Sequence, residues 1–159
     1  MKKNICNHFF LAGLMSASFF LNGCSWVCRF FIANTSNETV TADVKLFDSV
    51  KSFPIFDYGV VGFYSMKKNG SVDFDTYKII KVDTIGKISH YKVKMPAHTA
   101  IEIGELQNDH YEKYNQYFIN GRTFNLESIM IPEKKISIVT STFDSYFHKA
   151  KSGDIYFVF

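Results

Sequence analysis

The chain has 159 residues, with 18 lysine and arginine residues, 15 aspartate and glutamate residues and a net charge of +3. This length predicts a single domain, and the near balance of charges argues against a nucleic-acid-binding surface. Aromatic residues make up 17% of the chain, including 17 Phe and 9 Tyr. Because Phe and Tyr favour strands, the composition indicates a β-rich fold.

The N-terminal stretch has the pattern of an export signal. Lys2 and Lys3 precede an apolar run over residues 9–21. The run fits the ~7–15 residues of a signal-peptide core and is shorter than the ~20 residues that a membrane-spanning helix needs. Without Lys2 and Lys3 the net charge falls to near +1.

The residues that follow this run are Leu21-Asn22-Gly23-Cys24. They resemble the lipobox of bacterial lipoproteins, although Asn22 stands where a small residue is more usual. The resemblance implies that residues 1–23 are removed. It also implies that Cys24 becomes the first residue, with diacylglycerol on its thiol and a further acyl chain on its amino group. The alternative is an ordinary secretory signal with an incidental cysteine.

The mature protein is therefore expected to be one β-rich domain, residues 24–159, held at a membrane by the lipid on Cys24. Two or more acyl chains anchor a protein stably, because each buried methylene contributes about 0.8 kcal/mol. Residues 25–29 contain neither an aspartate next to Cys24 nor an acidic cluster. By the same resemblance, this favours the outer membrane, facing the periplasm.

Cys28 is expected to be a free, buried thiol. Cys6 leaves with the signal and Cys24 takes the lipid, so that no internal disulfide framework is predicted. In a strand beginning at Trp26, Cys28 shares a face with apolar residues and Arg29 lies on the opposite face. Because that strand starts two residues after Cys24, we expect the domain to lie close to the lipid headgroups.

Apolar and polar residues alternate through most of the remaining chain, which predicts about eight or nine short strands. Strands at residues 26–33 and 40–46 are expected to form a hairpin, and Asn69-Gly70 predicts another with a type I′ turn. Residues 143–153 are expected to be a connection with one helical turn. The predicted fold is a single antiparallel β-sandwich, with the immunoglobulin type as one form of it. A small closed β-barrel is the alternative.

Residues 108–118 have a different pattern, which predicts either a short helix or an ordered loop. Tyr111, Tyr114 and Tyr117 recur at helical spacing. Tyrosine rings with polar tips suit a binding surface, and nearby amide side chains could bind a glycan or a peptide. The alternative is that these rings cover an open end of the core.

The sequence contains no catalytic or metal-binding pattern. The histidines after residue 24 lack ligand spacing, and Asp109, His110 and Glu112 in a polar segment are typical of a solvated surface. No cofactor is predicted. The expected function is therefore a lipid-anchored envelope protein that binds a partner or supports an assembly without catalysis. The alternatives are a glycan- or peptide-binding module using residues 111–118, and a hydrolase whose site is not visible in the sequence. The expected partners are the membrane, an envelope protein or a glycan, and not nucleic acid.

Overall fold

The computed structural model of the protein describes residues 25–48 and 53–159. The predicted signal and its cysteine, Cys24, lie outside the described residues. The strands, in chain order, are β1 (Val27–Asn34), β2 (Val40–Leu46), β3 (Phe53–Pro54), β4 (Val60–Met66), β5 (Val72–Lys81), β6 (Asp83–Ile85), β7 (Lys87–Met95), β8 (Thr99–Gln107), β9 (Arg122–Thr123), β10 (Leu126–Ile131), β11 (Ile136–Val139), β12 (His148–Lys149) and β13 (Ile155–Val158). A short helix, α1 (Phe143–Tyr146), and the 3₁₀ turns Pro132–Lys134 and Thr140–Thr142 complete the described elements.

The strands form two main sheets. The six-stranded sheet has the order β12-β13-β1-β8-β4-β5, and the five-stranded sheet has the order β11-β10-β2-β7-β6. The sheets are antiparallel, apart from a parallel pairing between β1 and β13, and they do not close into a barrel. The predicted all-β sandwich is therefore confirmed and the alternative of a closed barrel is wrong. The immunoglobulin type stays a prediction.

The main core lies between the two sheets and follows from strand alternation. On β2, Val40, Ala42, Val44 and Leu46 are buried, as the alternating pattern predicts. From the six-stranded sheet, Phe30 and Ile32 of β1 enter the same core. Cys28 is also buried there and is a free thiol, as expected. Its burial raises its pKa to about 11.

The predicted hairpin between the first two strands is wrong, because β1 and β2 lie in different sheets. The chain crosses the sandwich after Asn34, whose side chain is fully buried. Its amide nitrogen donates to the carbonyl oxygens of Glu38 at 2.8 Å, Met95 at 3.1 Å and Pro96 at 2.9 Å. Asn34 therefore joins two crossovers, the one after β1 and the one after β7.

The hairpin predicted at Asn69-Gly70 is confirmed, since it joins β4 to β5. Its turn is different from the type I′ turn expected, because only Gly70 of the pair has a positive φ, of 81°. The amide of Gly70 donates to the carbonyl of Lys67 at 2.9 Å, and the amide of Lys67 donates to Ser71 at 2.8 Å. This is a longer loop with glycine at its left-handed position.

Residues 108–118 form an ordered loop, and the alternative of a helix there is wrong. The carboxylate of Asp109 accepts from the amides of His110 at 2.8 Å and Ile119 at 2.7 Å. The side-chain oxygen of Gln116 accepts from the amide of Glu112 at 2.6 Å. Local side-chain bonds of this kind replace the helical ladder. The helical turn predicted within residues 143–153 is α1.

Candidate functional site

The outer face of the six-stranded sheet carries a second apolar cluster, separate from the main core. Phe31, Tyr64, Val72 and two alanines are buried there. The rings of Phe31 and Tyr156 stack with their centroids 4.9 Å apart. The solvent-exposed face of an antiparallel sheet is usually polar. An apolar outer face therefore indicates that other side chains cover it.

The cover comes from a bulge in β5. Ser65 of β4 pairs with Asp73, but Phe63 pairs with Lys78, so β5 contains extra residues between these pairs. The hydroxyl of Thr76 accepts from the amide of Ser65 at 2.8 Å and donates to the carbonyl of Asp73 at 2.7 Å. These two hydrogen bonds hold the bulge in place. Bulges are frequent where a strand must redirect a side chain.

The bulge lays two aromatic rings over the sheet. Phe74 lies 6.1 Å from the ring of Phe31, and Tyr77 lies 5.1 Å from the ring of Tyr64, measured between centroids. Both rings remain about half exposed. The ring of Tyr77 fits against the sheet because Gly62 has no side chain; an added Cβ at that position would lie 3.0 Å from the ring.

These rings and a charged pair enclose a cleft of about 370 Å³, which we call the outer cleft. Its lining residues are Arg29, Tyr64, Phe74, Tyr77, Glu102 and Glu105. The phenol of Tyr64 donates to Oε2 of Glu102 at 2.5 Å. Nε of Arg29 lies 3.7 Å from Oε1 of Glu102, and the Arg29 guanidinium lies 5.8 Å from the centroid of Phe74.

Burial and neighbouring charges shift the pKa values of two polar groups in the outer cleft, Glu102 and Tyr64. Burial raises the pKa of Glu102, while the hydrogen bond from Tyr64 and the charge of Arg29 act in the opposite direction. Burial and the neighbouring Glu102 raise the pKa of Tyr64. The raised pKa keeps Tyr64 a neutral phenol at neutral pH, and its hydroxyl donates to Glu102.

A larger groove of about 760 Å³ lies on the other side of Phe74, between the β4–β5 hairpin and the β12–β13 edge. Its lining is mainly apolar and includes Val72, Tyr146, Tyr156 and Val158, with Lys149 and Lys151 beside it. Phe74 lines both spaces. The outer cleft and this groove are therefore neighbouring parts of one surface, within the size range of ligand sites.

The three tyrosines singled out from the sequence do not form one surface. Tyr111 is buried in the main core, where its ring lies 5.1 Å from Phe30 and its hydroxyl donates to Asp144. Tyr114 is half-buried, and Tyr117 is 86% exposed. The burial of Tyr111 favours the alternative that these rings cover an end of the core. A ligand-binding role for all three stays a prediction.

No group of three or more histidine, cysteine, aspartate or glutamate side chains within residues 25–48 and 53–159 could hold a metal ion. Asp109, which was expected to be solvated, is buried, and its carboxylate accepts from two backbone amides of its own loop. The ring of His110 stacks on that of Trp26, with the centroids 5.2 Å apart. His90 contacts Asp43 at 2.8 Å. No helix within the same ranges is long and apolar enough to cross a membrane.

Sequence reasoning missed the residues of the outer cleft. The available signal was a charged residue between two apolar neighbours: Arg29 lies between Cys28 and Phe30, and Glu102 between Ile101 and Ile103. The pairing of Arg29 with Glu105 and of Phe31 with Glu102 in the β1–β8 ladder brings the two charges together. That pairing joins segments far apart in the chain.

Comparison with known proteins gives no relative, since no protein-family model, curated protein or solved structure matches the chain.

Proposed function

We propose that this protein is a lipid-anchored protein of the bacterial envelope that binds a glycan in the outer cleft and catalyses no reaction. The anchor is the lipid on Cys24, and the proposed location is the outer membrane, facing the periplasm. The pattern of a basic start, a short apolar run and Leu21-Asn22-Gly23-Cys24 supports the anchor. The charged pair beneath two half-exposed rings supports the binding function.

The chemistry of the outer cleft suits a sugar. A sugar ring has apolar C–H faces, which pack on aromatic rings such as Tyr77 and Phe74. Its hydroxyl groups both donate and accept hydrogen bonds. The carboxylate of Glu102 accepts and the guanidinium of Arg29 donates, so that the two together can bind neighbouring hydroxyls.

The contacts of Glu102 support binding over catalysis. A general acid or base must be free to exchange a proton with its substrate. One carboxylate oxygen of Glu102 already accepts from Tyr64 at 2.5 Å, and the other faces Arg29 at 3.7 Å. These partners hold the carboxylate in place as a fixed acceptor, which suits recognition.

The anchor is tested by intact mass spectrometry of the protein purified from membranes. We expect a mass that starts at Cys24 and carries two or three acyl chains, in line with stable anchoring. The Cys24→Ala variant should lack this species. An unacylated wild-type chain would contradict the anchor and leave an exported domain without a lipid.

The binding site is tested by the change Tyr77→Ala. Loss of the stacking ring should weaken binding of soluble cell-wall glycan fragments about tenfold, which corresponds to about 1.4 kcal/mol, because aromatic packing is the main apolar contact of the cleft. Isothermal titration calorimetry measures the affinity.

Tyr117→Ala is the matched control, because Tyr117 is an exposed tyrosine outside the outer cleft. It should bind like the wild type. A loss of affinity in Tyr117→Ala with none in Tyr77→Ala would instead place the site in residues 111–118. No binding of any glycan fragment by the wild type would contradict the proposal, and newly formed reducing ends would favour a hydrolase.

A further inference from the structure

We infer that the end of the sandwich at which β1 begins docks onto the surface of the lipid bilayer, with Trp26 and the 108–121 loop against the headgroups. This inference rests on the proposed lipid anchor at Cys24. It adds a defined contact surface and therefore a fixed orientation of the domain, neither of which follows from the anchor alone.

The topology gathers one set of connections at this end, which we call the proximal end. β1 and β4 begin there and β8 ends there, because β1 and β4 both run antiparallel to β8. β2 also ends there, where the amide of Phe47 donates to the carbonyl of Asn125, just before β10 begins. The 108–121 loop, residues 53–59 after β2 and the turn at residues 85–88 therefore lie at the proximal end. The β12–β13 turn at residues 150–154 lies there as well, because β13 runs parallel to β1 and the carbonyl of Gly153 accepts from the thiol of Cys28.

These segments expose large apolar side chains to solvent. Tyr117 is 86% exposed, Phe53 and Ile119 are each 70% exposed, and Trp26 is 46% exposed. Phe47, Ile85 and Ile88 add further exposed apolar area at the same end. Scattered exposed apolar residues need no explanation, but a cluster of them marks a surface that contacts another phase or partner.

Contacts around Asp109 hold two of these side chains close together. The indole N–H of Trp26 donates to the carbonyl of Asp109 at 3.3 Å, while the amide of Ile119 donates to the Asp109 carboxylate at 2.7 Å. The backbone amide of Trp26 donates to the side chain of Asn108 at 3.2 Å. The ordered loop thus presents the apolar side chains on a fixed support.

The opposite end of the sandwich, the distal end, is polar. Its described turns are residues 35–39, 67–71, 96–98 and 132–135, and none of them contains a large exposed apolar side chain. They carry instead Thr35, Asn37, Lys67, Lys68, His98 and Lys135. The large exposed apolar side chains in the described turns are therefore concentrated at the proximal end, towards Cys24, where they lie among exposed charged residues such as Lys87, Lys113 and Lys151.

The position of the anchor identifies the lipid bilayer as the occupant. Trp26 is two residues from Cys24, and two extended residues span at most about 7 Å. The acylated cysteine lies at the membrane surface, so the proximal end cannot move far from it. Tryptophan and tyrosine are also the residues enriched at the interface between membrane and water, where their rings are apolar and their tips polar.

The test uses the single tryptophan of the chain, Trp26. The lipidated protein is reconstituted into phosphatidylcholine vesicles, with or without brominated acyl chains, which quench tryptophan fluorescence on contact. We expect quenching by the brominated lipid and a blue-shifted emission. Neither should change with salt concentration, because the contact is apolar rather than electrostatic.

A pair of variants separates docking from simple tethering. Ile119→Asp places a charge in the proposed contact surface and should lower the quenching at least about twofold, since a carboxylate is disfavoured among lipid chains. Asn69→Asp adds the same charge at the distal end and should behave like the wild type. Flotation of each protein with the vesicles reports the anchor independently.

The outcomes are distinct. A protein that floats with the vesicles but shows no quenching, or equal quenching in Ile119→Asp, would overturn docking and leave the anchor intact. Shielding of Trp26 in native envelopes without quenching in vesicles would overturn it in favour of a protein partner. A protein that does not float would overturn the anchor and the docking together.

Discussion

Replacing Gly104 by alanine should lower the free energy of unfolding by about 3 kcal/mol or more, at the upper end of what overpacking costs. A Cβ at this position would lie 2.2 Å from the carbonyl oxygen of Ile55 and 2.8 Å from the Cα of Phe56. Both obstacles are backbone atoms, so no side-chain rotation can relieve the clash. Urea denaturation followed by far-ultraviolet circular dichroism measures the change.

The backbone around Gly104 is unable to move away because it is bonded on several sides. The amide of Glu105 donates to Ile55 at 3.1 Å, and the amide of Asp57 donates to Ile103 at 3.0 Å. The buried side chain of Asn125 accepts from the amide of Phe56 at 2.8 Å and donates to its carbonyl at 3.0 Å. A shift large enough to admit a methyl group would break these bonds.

Gly62→Ala is the matched control, on the neighbouring strand of the same sheet. An added Cβ would lie 3.0 Å from the ring of Tyr77, 3.1 Å from the Cβ of Glu102 and 3.2 Å from the ring of Tyr64. These are side-chain atoms that can shift by a few tenths of an ångström, so the expected cost is about 1–2 kcal/mol, below that of Gly104→Ala. Equal denaturation midpoints for the two variants would contradict the close backbone approach at Gly104.

The change Asn34→Leu should lower the free energy of unfolding by about 3 kcal/mol. Leucine has a similar shape but cannot donate, so the carbonyls of Glu38 and Met95, which accept from Asn34 at 2.8 and 3.1 Å, lose this donor. The Asn34 side-chain oxygen also accepts from the hydroxyl of Ser36 at 2.7 Å. Each buried polar group left without a partner costs about 1–3 kcal/mol.

Asn37→Leu is the appropriate comparison, because it makes the same chemical change three residues further along the same crossover. Asn37 is exposed and contacts His98 at 2.9 Å. We expect a change within about 0.5 kcal/mol. If thermal unfolding of Asn34→Leu matches that of Asn37→Leu, the network around Asn34 does not hold the two crossovers together.

Local patterns in the sequence were sufficient to predict the type of most elements. The alternation of Val40, Ala42, Val44 and Leu46 reports directly which face of β2 is buried. The Asn69-Gly70 pair marked a hairpin, because glycine adopts the positive φ of a tight turn without steric cost. The high content of Phe and Tyr indicated a β-rich fold. Together these signals were enough for the fold class.

The errors arose where the hydrogen bonds of one side chain, rather than the periodicity of the sequence, determine the path of the backbone. A short polar segment after β1 predicts a hairpin, yet Asn34 is bonded to Met95 and Pro96 at the other crossover, and the chain leaves the sheet. The tyrosine spacing in residues 111–117 fits a helix, but the carboxylate of Asp109 fixes a loop. The spacing of apolar and aromatic residues reports neither set of hydrogen bonds.

The outer cleft could not be predicted for the same reason. Arg29 was correctly placed on the face opposite Cys28, but its neighbour Glu102 is known only once β1 is seen to pair with β8. Phe74 and Tyr77 reach the cleft through a bulge, and a simple alternation of faces does not predict the extra residues in β5. The site is a product of tertiary pairing.

The neighbours of β1 also constrain when the fold can form. β1 is bonded to β8 on one side and β13 on the other, so that its first partner is complete only once residue 107 has been made and its second only once residue 158 has been made. The apolar segment Phe30-Phe31-Ile32-Ala33 lacks its strand partners during that time. Pairing between segments so far apart makes folding slow, because the entropy cost of closing the long loop arises before the strand contacts can stabilise the chain. The sandwich is therefore completed late, once its two most distant strands meet.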